Sequence, residues 1–239
     1  MKGKRYIYIV LTVLLVVLFA LDTCCGSIWI SPFSIGTDWS PVERQIFLNL
    51  RLPKALTALL AGAALSVAGL IMQTLFRNPL AGPYILGVSS GASIGVAFLT
   101  MCSTMLAGMA SVGTLGIAVS AIIGSTIVLL MVMVVAKRVK SSVSLLIVGI
   151  MIGSIAGALV NLMQNYANPD SLKLFIVWTL GSLGGVGWSQ LPVMAGIVIA
   201  GLTVSLLLMK PLNGLLLGED YARGLGVNIS RTRWMIVAA

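Results

Sequence analysis

Residues 78–136 read NPLAGPYILGVSSGASIGVAFLTMCSTMLAGMASVGTLGIAVSAIIGSTIVLLMVMVVA. These 59 residues contain no Asp, Glu, Lys, Arg or His. A water-soluble domain exposes a polar group every turn or two, so a run this long without charge has no water to face. About 20 apolar residues cross the hydrocarbon core as a helix, and this run has room for two crossings. The fold class predicted is all-α, a polytopic transmembrane helical bundle, and the few charges mark where the chain meets water.

The rest of the composition agrees. Hydrophobic residues are 59% of the chain and charged residues 9%, against about 25% charged in ordinary globular domains. The net charge of +9 does not point to nucleic acid, because the bases sit singly or in threes between apolar runs. With no histidine, an imidazole-ligated haem or metal site is excluded. Cys24, Cys25 and Cys102 match no metal-binding spacing and read as small packing residues.

Outward from the central run, charge-free windows place the spans. The first is Ile7–Leu21, behind Lys2, Lys4 and Arg5, and the second is Ala55–Phe76. The central run holds the third, Tyr84–Met101, and the fourth, Thr114–Ala136. The fifth lies within Ser141–Pro169. The window Leu174–Met209 is split into a short helix near Leu174–Leu183, a turn at Gly184, Gly185 and Gly187, and a sixth span over Leu191–Met209. Arg231, Arg233 and Trp234 then precede an apolar run that reads as the start of a seventh span, so the chain is expected to be a fragment. It is read as one transmembrane domain over 1–239, with a short helix in residues 217–227.

With the N-terminus inside, inner segments carry Lys2, Lys4, Arg5, Arg77, Lys137, Arg138, Lys140, Lys210, Arg223, Arg231 and Arg233. Outer segments carry only Arg44, Arg51, Lys54 and Lys173. The excess of bases inside sets this orientation. The first residues also resemble a signal peptide, and either reading leaves residue 30 outside. Asp22 makes a poor lipoprotein site at Cys24, because that position wants a small neutral residue.

Lipid gives no hydrophobic drive between helices, so small residues that let backbones approach must supply the packing. Three spans carry them at every fourth position: Gly87, Gly91 and Gly95; Gly116, Ser120 and Gly124; Gly149, Gly153 and Gly157. They are read as helix-packing faces, with the alternative that some slide apart as a pathway opens.

All six acids (Asp22, Asp38, Glu43, Asp170, Glu219, Asp220) fall at span ends or in loops. Proton- or ion-coupled carriers bury such groups at mid-membrane. An intramembrane hydrolase needs a nucleophile with a base or metal ligands, and no phosphate-binding GxxxxGK[ST] loop is present. The chain is therefore read as no enzyme, with no metal site. What remains is a transport pathway energised by another subunit, with an ATPase-independent secondary carrier or channel as the alternative.

Three loops stand out. Arg51-Leu52-Pro53-Lys54 is either a helix start with snorkelling bases or a basic docking point for an acidic partner. Gln73–Pro83 is either a plain hairpin or a proline-stiffened turn at the mouth of a pathway. In Leu217–Val227, glycines bracket one to two helical turns, with Glu219 and Asp220 first and Arg223 last, as the helix dipole favours. Such a helix suits a groove on a cytoplasmic partner.

These loops carry a resemblance. RLPKALTALLAGAALSVAGLIMQTLFRNPLAGPYILGVSSGASIGV, WTLGSLGGVGW and LGEDYARGLGVNISRTR resemble signature blocks of the permease subunits of bacterial iron-siderophore, haem and cobalamin ABC importers. The match covers Arg51 to Arg233. Members have about ten spans, and this sequence stops at the start of the seventh. The resemblance implies an inner-membrane homodimer above two cytoplasmic ATPase subunits, which bind the ATP and Mg. The chain itself carries no cofactor. An extracytoplasmic binding protein would deliver the ligand. Arg51 and Lys54 match the positions that pair with carboxylates on that protein. Lys54 stands where other members often have Arg, keeping the charge but not the bidentate fork. Asn78 and Leu80 match the inner gate, and Asn161 falls near a second gate position. Gly218, Glu219, Asp220, Tyr221, Ala222, Arg223 and Gly224 match the helix that docks on the ATPase.

Overall fold

A computed structural model describes residues 2–26, 28, 39–84, 87–102, 113–136 and 142–238. The bases Lys137, Arg138 and Lys140 and the acid Asp38 lie outside the described residues. Among those described, the chain forms helices and no strand. The helices are α1 (Lys2–Cys24), α2 (Pro41–Ile46), a π-helical turn (Phe47–Arg51), α3 (Leu52–Phe76), α4 (Val88–Cys102), α5 (Thr114–Ala136) and α6 (Ser142–Tyr166). They continue with α7 (Pro169–Thr179), α8 (Leu191–Leu207), α9 (Met209–Leu217), α10 (Glu219–Gly224) and α11 (Ile229–Ala238). Arg5–Cys24, Pro41–Phe76, Thr114–Val135 and Ile147–Tyr166 are long and apolar enough to cross a membrane. A bent pair, α8 and α9, meets the same test jointly. The apolar α4 has 15 residues, about 22 Å of helix against the roughly 30 Å of a bilayer core.

The fourth span coincides with its expected limits. Other boundaries move, each for a local reason. The helix leading into the second span starts at Pro41, because Ser40 accepts a hydrogen bond from the Glu43 N–H while the Glu43 carboxylate accepts one from the Ser40 N–H. This reciprocal cap satisfies two orphan donors, and the Ser-Pro-Val-Glu spacing advertises it. Pro53 is thus inside a continuous helical path rather than at its start. The preceding π turn accommodates it, since a proline ring crowds the carbonyl four residues back. The short helix expected at Leu174–Leu183 runs instead from Pro169 to Thr179, capped by Asn168, whose side chain accepts from the Ser171 N–H. Asparagine followed by proline at the first helical position was the missed signal. The sixth span breaks near Leu208, where α8 gives way to α9 at 52°. The third starts at Val88, so Gly87 (φ +76°) belongs to the entry turn, not to the helix face.

The chain divides into two compact units, residues 1–63 with 182–199, and residues 64–181 with 200–239. In the second unit α4 packs closely on α5. A Cβ on Gly91 would lie 2.6 Å from the Gly124 carbonyl oxygen, and one on Gly95 would run into the Ser120 carbonyl. Gly87 sits against Gly149 and Gly153 of α6. Gly116 is exposed, and a Cβ on Gly157 would meet none of the described residues within 4 Å. Two apolar clusters lie along α5 and its neighbours. One joins Met72, Phe76 and Ala81 to Val128 and Val132. The other joins Val96, Ala97 and Met101 to Val160 and Phe175.

Candidate functional site

In the first unit, Arg51 sits at the end of the π turn. Its guanidinium Nη1 donates to the carbonyls of Thr23 (3.1 Å) and Cys24 (2.7 Å), and Nη2 donates to that of Ile28. These groups close the last turn of α1, whose terminal carbonyls have no helical donor. Gly26 leaves room for this approach, since a Cβ there would be 2.6 Å from Nη2. Lys54 Nζ lies 3.8 Å from Asp22 Oδ1, both side chains about half exposed. Asp22 is unfavourably placed in the C-terminal turn of α1 with respect to the helix dipole, and the two bases offset it. Exposed pairs of this kind contribute about 0.2–1 kcal/mol. The expected docking residues thus also bind the end of α1, a role not visible in the sequence.

In the second unit, α3 ends in a tight turn. Asn78 N–H donates to Gln73 O at 3.1 Å, and Arg77 N–H to Thr74 O at 3.3 Å. This is the double hydrogen bond of a Schellman motif, whose left-handed residue is usually glycine. Here it is Arg77, at φ +46° and the only non-glycine residue with positive φ among those described. The left-handed residue, more than the two prolines, ends the helix. Asn78 Oδ1 accepts from Leu80 N–H at 2.9 Å, an Asx turn that leaves Leu80 75% exposed. Ala81 is buried against Phe76 and Val132.

Arg77 Nε–H donates to the Leu215 carbonyl at 2.9 Å. That carbonyl also accepts the Gly218 N–H at 3.2 Å. Gly218 (φ +130°) turns the chain from α9 into α10. Ala222 of α10 is fully buried beside Leu215 and Ile229, while Asp220, Tyr221, Arg223 and Gly224 are exposed. Asp220 and Arg223 approach to 4.0 Å. A second Schellman turn, Val227 N–H to Ala222 O and Gly226 N–H to Arg223 O, both 2.9 Å, closes α10. Its left-handed residue is Gly226 (φ +80°).

The structure therefore joins Asn78 and Leu80, through Arg77, to the last turn of α9 just ahead of α10. It does not bring Asn161 to them. Asn161 is exposed on α6, next to Val160 in the cluster with Met101 and Phe175. Among the described residues no group of three or more His, Cys, Asp or Glu side chains is arranged to hold a metal ion.

The profile of the FecCD transport family matches residues 14–239. The chain is 35% identical over 230 residues to the vitamin B12 import system permease protein BtuC of Escherichia coli, covering 96% of this chain and 68% of that protein. It is 33% identical over 245 residues to the BtuC permease of Vibrio cholerae, covering 100% of this chain and 69% of that protein. Its fold is similar to that of a metal-chelate type ABC transporter solved in an inward-facing conformation. The TM-score is 0.82 at 28% identity, covering 98% of this chain and 72% of that one.

Proposed function

Because this chain belongs to the FecCD transport family, a family of multi-pass membrane permeases, we propose that it is the membrane subunit of an ATP-driven importer for cobalamin or an iron chelate (ferric siderophore or haem). It works as a homodimer above two ATPase subunits that bind ATP and Mg, receives ligand from an extracytoplasmic binding protein, and keeps its N-terminus in the cytoplasm. The relatives at 33–35% identity over nearly the whole chain are vitamin B12 permeases, which favours cobalamin within that range.

The observation that carries the mechanism is the linked pair of motifs in the second unit. A short helix, α10, is anchored through one buried alanine and presents its polar face outward. Just ahead of it, the Leu215 carbonyl in the last turn of α9 accepts the Nε–H of Arg77, from the turn that carries Asn78 and Leu80. Docking of α10 on the ATPase, followed by closure of the ATPase on ATP, moves the base of α10, and the Asn78–Leu80 turn opens or shuts the inner mouth. The absence of acids and bases from the span interiors suits passage of a bulky ligand, because a charged lining would hold it. At the other face Arg51 and Lys54 steer the binding protein, with effects mainly on encounter and orientation.

The test is uptake of radiolabelled cobalamin and ferric siderophore into proteoliposomes holding the permease with its ATPase. ATP-dependent accumulation is expected, and replacing residues 219–223 by a Gly/Ser linker abolishes it while the ATPase still hydrolyses ATP. Accumulation without any ATPase subunit would establish the secondary-carrier alternative instead.

A further inference from the structure

Among the described residues of the second unit two Schellman turns occur, and their left-handed residues differ in kind. Gly226 occupies the left-handed residue after α10, as the backbone prefers, whereas Arg77 occupies it after α3. A residue with a Cβ is strained in that region and persists only where its surroundings hold it there. Two hydrogen bonds hold Arg77 in it. Its backbone N–H bonds to Thr74, and its Nε–H bonds to the Leu215 carbonyl, 138 positions along the chain. The same carbonyl accepts the Gly218 N–H, at the pivot between α9 and α10. Glycine would form this turn with less strain and no side chain; the arginine forms it with strain and a connection.

We infer that Arg77 is a positioning residue that transmits displacement of α10 to the Asn78–Leu80 turn. The inference rests on the proposed roles of α10 as the ATPase-docking helix and of that turn as the inner gate. Leu215 is buried and packs with Ala222, so a shift of α10 moves the Leu215 carbonyl. The Nε–H follows its acceptor. A left-handed residue with a Cβ is strained, so a pull on the side chain that helps to hold it favours the ordinary conformers. Asn78 and Leu80, the next residues of the turn, are re-aimed. The hydrogen bond is made by Nε, which is rigidly placed on Cδ, and not by the mobile end of the guanidinium.

That placement supplies a sharp test. The amide nitrogen of glutamine is also attached to Cδ, so Arg77→Gln keeps an N–H at the same point of the side chain without the charge. Arg77→Met keeps the length and removes the donor. Both are measured in the full-length permease assembled with its ATPase and binding protein, as ATP hydrolysed per ligand imported. Arg77→Met is expected to assemble and hydrolyse ATP while import falls by about tenfold, as loss of one hydrogen bond from a charged donor allows, and Arg77→Gln to recover most of it. Equal behaviour of the two variants, or a wild-type ratio in Arg77→Met, overturns the inference while leaving the transport reading intact. Failure of Arg77→Met to assemble makes Arg77 a purely structural residue and overturns it as well. If the wild-type protein imports without hydrolysing ATP, the transport reading fails and takes the inference with it.

Discussion

The indole Nε1–H of Trp188 donates to the Leu48 carbonyl at 2.8 Å, across 140 positions of sequence. The acceptor is available because of Pro53. In the π turn the Leu52 N–H bonds to Phe47, and Pro53, next in line for Leu48, has no N–H to give. Trp188 fills the vacancy, so a proline and a tryptophan far apart in the chain form one local structure in the first unit. Trp188→Phe retains the ring and loses the donor. Its expected effect is a stability loss of about 0.5–1.5 kcal/mol, read as a lower thermal unfolding midpoint in detergent. An unchanged midpoint would show that water replaces the indole at no cost.

Arg51 makes a second prediction. Gly26→Ala places a methyl group against a guanidinium already held by three carbonyls. The arginine is displaced and the end of α1 loosens. Cys24 is buried there and Cys25 is exposed, so alkylation of Cys24 is expected to speed up in both Gly26→Ala and Arg51→Ala, with little change at Cys25. Continued protection of Cys24 in both variants would contradict the capping role.

The docking role proposed for the same residue can be tested apart from capping. Arg51→Glu combined with Lys54→Glu reverses charge at both positions. Affinity of the full-length permease for its binding protein should fall, and the remaining affinity should lose much of its salt dependence. Arg51→Lys with Lys54 intact should weaken the cap while keeping that salt dependence.

Packing of α4 on α5 predicts a contrast between two glycines with the same sequence signature. A Cβ on Gly124 would collide with the Gly91 carbonyl, and one on Gly157 would meet none of the described residues within 4 Å. Gly124→Ala is expected to destabilise by about 1–3 kcal/mol, the usual cost of overpacking. Gly157→Ala should be neutral or slightly stabilising, since alanine is the better helix former. The comparison is read by thermal unfolding of the purified variants.

Ser40 offers a smaller effect. Ser40→Ala removes the side chain that accepts from Glu43 and should cost about 1 kcal/mol of local helix stability. Hydrogen exchange over residues 41–46 is the suitable probe, with faster exchange expected there and none of it transmitted to α5.

Much of the architecture was legible as a one-dimensional pattern. Membrane spans must exclude charge, so Asp, Glu, Lys and Arg mark their ends, and the span near Thr114–Ala136 could be read from them. Boundaries drifted where a cap competed with hydropathy, at Ser40 and Asn168, because capping is a matter of single hydrogen bonds and not of mean polarity. The expected gate and docking positions were reached through motif likeness, and Asn161, the least motif-bound of them, is an exposed residue of α6.

Sequence alone settled that this chain crosses a bilayer as helices, where most of them lie and which loops are chemically unusual. Each of those follows from the solvent each residue needs, a property it carries by itself. Only the tertiary structure decided that Gly91 meets Gly124 while Gly157 has open space among the described residues, that Arg51 closes α1, and that Arg77 reaches Leu215. Those facts depend on pairs brought together from distant positions, and glycine spacing or an isolated arginine looks the same in a sequence whether its partner is a neighbouring backbone, lipid or water.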